Sequence, residues 1–130
     1  MKHTFWGVWV LLICLSTPLL AQREENFDLE LFIESLFNLQ EENLNYEDLY
    51  ERLLLLYENP LNLNAATRED LNNLYILSRP QVDSLHSYIE SNGKLLTIYE
   101  LQLVPGFDYP TIEKLKPFVK VDPKDFLADE

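Results

Sequence analysis

Residues 67–88 read TREDLNNLYILSRPQVDSLHSY, and residues 97–118 read TIYELQLVPGFDYPTIEKLKPF. Laid over each other at an offset of 30, Thr67 falls on Thr97, Asp70 on Glu100, Leu71 on Leu101 and Leu74 on Val104. The register continues with Leu77 on Phe107, Ser78 on Asp108, Pro80 on Pro110, Val82 on Ile112, Leu85 on Leu115 and Tyr88 on Phe118. Two copies of one supersecondary unit account for it.

Each copy reads as a helix, a tight turn and a second helix. Thr67 with Asp70, and Thr97 with Glu100, have the spacing of capping boxes, in which a hydroxyl and a carboxyl exchange bonds with each other's backbone N–H. The second helix opens beside Pro80 or Pro110, where a missing N–H costs little. Its apolar face is Val82, Leu85, Tyr88 and Ile89 in the first copy, and Ile112, Leu115, Phe118 and Val119 in the second. Asn92-Gly93 supplies a left-handed cap at the end of the first copy's longer helix. The fold class expected is all-α, with the two copies related by a pseudo-two-fold axis. The expected core is Leu71, Leu74, Val82, Leu85, Leu101, Val104, Ile112 and Leu115.

Upstream, Leu29, Phe32, Ile33, Leu36 and Phe37 recur at helical spacing within residues 27–39. Tyr46, Leu49, Tyr50, Leu53, Leu54 and Tyr57 do the same within 46–58, behind the N-cap Asn45 and before the stop at Pro60. The run Leu53-Leu54-Leu55-Leu56 implies packing against two neighbours. Acidic residues crowd the start of the first of these helices, as the helix dipole favours.

Further upstream, a basic start (Lys2, His3) precedes an apolar run from Phe5 to Ala21, the layout of an export signal with cleavage after Ala21. The alternative is a retained anchor, since the run is near the lower length limit for a membrane span. The domain plan is therefore a signal peptide over 1–21, an acidic two-helix unit over 22–59, the repeat over 60–121, and a tail or truncated linker over 122–130.

Composition narrows the function. The chain has 130 residues, 10 Lys and Arg against 22 Asp and Glu, and a formal charge of −12. Loss of residues 1–21 removes Lys2 and the single cysteine, Cys14, leaving a net charge of −13 and no disulfide. Three glycines leave no room for a Gly-rich phosphate loop. One histidine remains after cleavage, His86, which reads as an exposed or half-buried surface residue. With no second histidine or cysteine there is no metal set, cofactor site or nucleophile pair to select, and the carboxylates are spread along helix surfaces. No enzyme is expected, and no small-molecule substrate.

Leu61-Asn62-Leu63-Asn64-Ala65-Ala66-Thr67, Ser91-Asn92-Gly93-Lys94-Leu95-Leu96 and Glu100-Leu101-Gln102-Leu103-Val104-Pro105-Gly106-Phe107 resemble successive parts of the tandem helix-hairpin-helix module of the competence protein ComEA. The resemblance covers 61–121. With the two N-terminal helices included, the chain is closer still to exported bacterial helix-hairpin-helix proteins, in which the module stands near the front of a longer envelope protein. The resemblance implies two hairpins packed together and sequence-independent binding of duplex DNA through its backbone.

In that family each hairpin carries Gly-apolar-Gly, so that backbone N–H groups approach a phosphate at a helix N-terminus. Here the first hairpin is Ile76-Leu77-Ser78-Arg79 and has neither glycine. The second is Gly106-Phe107-Asp108 and keeps only the first. Ser78 with Gln81 forms a candidate capping box, and Asp108 is a strong N-cap. A carboxylate then stands where a phosphate would go. Arg79, Lys94, Lys114, Lys116 and Lys120 are the candidate phosphate contacts on an acidic body. Tyr75, Phe107 and Tyr109, on or beside the hairpin tips, are expected to be exposed as partner anchors. The reading favoured is a protein-binding or structural element of the cell envelope, whose partner is an envelope protein or a downstream region of the same longer chain. DNA binding is the rival.

Overall fold

The computed structural model describes residues 26–40, 43–122 and 124. The expected signal segment and nearly all of the tail lie outside the described residues. The chain is mostly helical. Helices α1 (Leu29–Asn38) and α2 (Tyr46–Glu58) come first, followed by strand β1 (Leu61–Asn62). Helices α3 (Arg68–Asn72) and α4 (Arg79–Asn92), a 3-10 helix (Ile98–Leu103), α5 (Tyr109–Leu115) and strand β2 (Val119–Lys120) complete it.

Local chemistry sets the helix starts. Asp28 accepts from the Leu31 N–H at 3.0 Å to open α1, and Asn45 accepts from the Glu47 N–H at 2.9 Å to open α2. The two helices pack on each other, with Ile33, Leu36, Leu49 and Leu53 buried. The leucine run is buried unevenly. Leu53 is buried and Leu54 and Leu56 are half-buried, but Leu55 points outward at 65% exposure.

Thr67 and Asp70 open α3 with a reciprocal box, at 3.1 Å from the Asp70 N–H to Thr67 Oγ1 and 2.8 Å from the Thr67 N–H to Asp70 Oδ2. The matching positions of the second copy form no such box. Thr97 makes no side-chain cap bond, and the segment winds as a 3-10 helix. Glu100 is drawn elsewhere: its carboxylate accepts from the Tyr88 hydroxyl at 3.0 Å and from the Leu96 N–H at 2.7 Å.

The copies also part company at their far ends. Helix α4 runs fourteen residues and ends at Gly93, whose φ of +85° lies in the region that glycine enters without penalty. Helix α5 runs only seven. Phe118 and Val119, expected on its apolar face, lie beyond it, because Pro117 has no N–H to continue the helical ladder. Val119–Lys120 instead runs parallel to Leu61–Asn62, with the Leu61 and Leu63 N–H groups donating to the Phe118 and Lys120 carbonyls at 2.9 Å each. The fold is all-α as expected, with one addition: a two-residue parallel pair closes it.

One core runs through the whole. All eight expected core residues are at most 2% exposed, and they join Ile33, Leu36, Leu49, Leu53, Leu63, Leu95 and Phe118 in a single cluster. Phe118 is completely buried, its ring 5.9, 5.4 and 6.4 Å from those of Phe27, Phe32 and Tyr57. The acidic two-helix unit is thus packed onto the repeat.

Asn64 is a second tie that sequence reading missed. Its amide accepts from the Leu95 N–H at 2.7 Å and donates to the Leu95 carbonyl at 3.0 Å, joining the start of the first copy to the start of the second.

Leu101→Ala is expected to destabilise the fold by about 2–5 kcal/mol, the range for emptying a well-packed leucine site. Asn64→Asp keeps the acceptor but sets a carboxylate against the Leu95 carbonyl, and should cost about 1–3 kcal/mol near neutral pH. Urea unfolding curves check both.

Candidate functional site

The residues singled out for function lie on the loops between α3 and α4 and between the 3-10 helix and α5. The first loop turns through Tyr75, whose φ is +56°, with the Tyr75 N–H donating to the Asn72 carbonyl at 3.1 Å. The second turns through Gly106 at φ +87°, with the Phe107 N–H donating to the Val104 carbonyl at 3.1 Å. Proline then glycine at the centre of such a turn is the signature of type II. The left-handed residue is thus shifted by one position between the copies. Ile76 stands at the position that corresponds to Gly106, and a β-branched residue is costly at positive φ. The first loop is therefore a different turn, not a crowded version of the second.

Both helix N-termini that face these loops are closed from within. At α4, Ser78 Oγ accepts from the Gln81 N–H at 3.4 Å, and Gln81 Oε1 accepts from the Ser78 N–H at 2.8 Å. At α5, Asp108 Oδ1 accepts from the Thr111 N–H at 2.9 Å and from the Thr111 hydroxyl. The Thr111 bonds, hydroxyl first, hold the Asp108 carboxyl below the usual carboxylate range, with a smaller contribution from Lys114. The Ser78, Gln81 and Thr111 N–H groups are thus engaged within the chain.

The two loops are also tied to each other. The other end of the Gln81 amide, Nε2, donates to the Gly106 carbonyl at 2.8 Å. A single side chain thus caps α4 and grips the second loop. Sequence reading found the cap but not the grip, which requires a partner 25 residues away.

Exposure sorts the remaining residues. Arg79 is exposed at the first position of α4, and Leu77 is buried. Phe107 is buried at 8% exposure, which corrects its expected place among the exposed aromatics: the turn folds it back onto the core. Tyr75 is half-buried, its carbonyl accepting from Gln40 Nε2 at 3.5 Å across a shallow cleft of about 570 Å³. Tyr109 is exposed as expected.

Of the candidate phosphate contacts, Lys94 is half-buried, and Lys114, Lys116 and Lys120 are exposed. Lys116 Nζ lies 3.0 Å from Glu113 Oε1 and 5.7 Å above the Tyr99 ring, and Glu113 raises its pKa. Lys120 lies 4.0 Å from Asp122. These pairs are exposed and weak, but each sets a carboxylate beside a cation that a phosphate would need.

His86 is half-buried, with Nε2 shielded and without a hydrogen-bond partner among the described residues. No three acidic, histidine or cysteine side chains among the described residues are placed to hold a metal, and none of their helices is long and apolar enough to cross a membrane. No protein-family model, curated protein or solved structure matches the chain.

Because the Asp108 carboxyl is depressed in the folded state, its cap stabilises fully above the unfolded value of about 3.9 and is lost as pH falls through the lower native value. Asp108→Asn keeps a neutral cap and should flatten this acid limb while leaving neutral-pH stability nearly unchanged. Thermal melts between about pH 5 and about pH 2 check it.

Proposed function

We propose that this chain is an exported, non-enzymatic tandem helix-hairpin-helix module that serves as a protein-binding or structural element of the cell envelope. The observation that carries the reading is the occupation of the α4 and α5 N-termini by Ser78, Gln81 and Asp108. A phosphate-tracking hairpin needs these donors free and no carboxylate beside them; here Asp108 would repel the ligand, and seven-residue α5 offers little dipole to offset it. Export rests on the pattern of residues 2–21, with the mature protein acting in the periplasm or on the envelope. The partner is an envelope protein or a downstream region of the same longer chain.

Duplex DNA binding is the second reading. It is favoured by the intact turn at Gly106 and by the exposure of Arg79, Lys114, Lys116 and Lys120.

Salt separates the two. Backbone binding releases counterions and weakens steeply as salt rises. Titration of a fluorescent duplex should show no affinity at or below about 1 μM at physiological salt. Asp108→Gly with Ser78→Gly should raise affinity by freeing the donors, more through the second loop than the first. Micromolar or tighter binding by the unmodified chain, abolished by Lys114→Glu with Lys116→Glu, would overturn the proposal in favour of DNA binding.

A further inference from the structure

Charge is segregated along the chain. Residues 26–59 hold nine carboxylates and one cation, Arg52. Residues 94–124 hold Lys94, Lys114, Lys116, Lys120 and Lys124 against Glu100, Asp108, Glu113 and Asp122, and Lys2 is the only lysine outside them. In the fold Lys114, Lys116 and Lys120 are exposed, with Glu113 beside Lys116 and Asp122 beside Lys120.

On the acidic side, α1 and α2 frame a cleft of about 320 Å³ lined by Glu30, Tyr46, Glu47, Tyr50 and Glu51. The Tyr46 and Tyr50 rings stack within it, 6.3 Å apart at 28°. Carboxylates beside ring faces make a favourable site for an alkylammonium group, which gains ion pairing and the attraction of the ring quadrupole together. The acidic field is felt there: after partial burial, Glu30 and Glu34 are the main causes holding the Tyr46 hydroxyl above its usual pKa. On the same unit Leu31 and Leu55 project into solvent.

On the basic side, Lys116 lies over Tyr99, and Tyr99, Leu103 and Tyr109 are exposed. Cationic and apolar groups here match the acidic and apolar groups there.

We propose that a second copy of the chain occupies the cleft: the lysine-bearing surface of residues 94–124 of one molecule docks head to tail on the Glu30–Tyr46–Glu47–Tyr50–Glu51 cleft of another. This rests on the protein-binding reading and names a partner for it. The two surfaces differ, so the contact is heterologous and can extend into rings or filaments rather than stop at a symmetric dimer. The net charge of −13 opposes approach at long range, but at about 0.15 M salt the screening length is about 8 Å, and the contacting charges decide the outcome.

Sedimentation of the processed chain without DNA tests this. The average mass should rise with concentration at about 0.15 M salt and fall to the monomer at about 1 M, where the screening length is about 3 Å. Glu30→Lys with Glu47→Lys should abolish the rise, as should Lys114→Glu with Lys116→Glu, each variant keeping the wild-type circular dichroism spectrum. An equimolar mixture of the two variants should assemble again, because the unaltered lysines of the first meet the unaltered cleft of the second. A wild-type chain that stays monomeric up to about 1 mM, the weak end of specific association, would overturn the proposal. So would assembly that survives both reversals, or a mixture that does not assemble. The acidic-side variant does not weaken duplex binding in either functional reading, so failure here is separable from failure of the reading above.

Discussion

The ends of residues 61–120 are held side by side by two residues on each strand, Leu61–Asn62 against Val119–Lys120. A ladder this short has no stability of its own. It persists because the residue that leads into β2 is Phe118, completely buried against Phe27, Phe32 and Tyr57. The ladder positions the ring, and the ring anchors the ladder. The acidic N-terminal helices are therefore part of the closure, because they supply the aromatic partners that the second copy's short helix cannot reach. Asn64 adds a polar tie across the same junction, satisfying both backbone groups of Leu95, which is itself buried.

Within that closed frame Gln81 makes the two loops one object. Its amide uses both ends, the oxygen on its own helix and the nitrogen on the Gly106 carbonyl. A side chain so engaged fixes the spacing of the loops and removes two groups that a ligand could have used. The same economy appears at Glu100, whose two oxygens serve Tyr88 and Leu96 and so bind α4 to the 3-10 helix.

What could be read from the sequence was what is local. The spacing of Leu71, Leu74, Val82 and Leu85, with the counterparts in the second copy, gave the core, because three- and four-residue spacing is a helix's own geometry. The caps at Thr67, Ser78 and Asp108 were legible for the same reason: donor and acceptor lie three residues apart. The misses lie where a distant group competes. Glu100 matched the capping pattern, but Tyr88 and the Leu96 N–H held it instead. Phe107 sits at a loop tip, which suggests exposure, yet the turn at Gly106 returns its ring to the core. The end of α5 was legible after all, at Pro117, but the repeat register carried the helix through it. An internal repeat specifies which residues correspond, not that their backbones do, as the shifted positive φ at Tyr75 and Gly106 shows.

A loop closed by its own side chain has a thermodynamic rationale in this chain. Helix α5 has seven residues and ends against a proline, and helices so short are marginal without packing and caps. A phosphate at its N-terminus would stabilise it only while bound. Asp108 supplies a complement to the Thr111 N–H permanently. The chain has a single cysteine, Cys14, so no internal disulfide offsets a frayed helix, and its core is that of a small domain. Under these constraints a built-in carboxylate makes the fold of the second copy independent of any ligand. A scaffold that must present its surfaces to a partner before anything is bound requires that independence, whereas a phosphate reader needs its N-terminus left open.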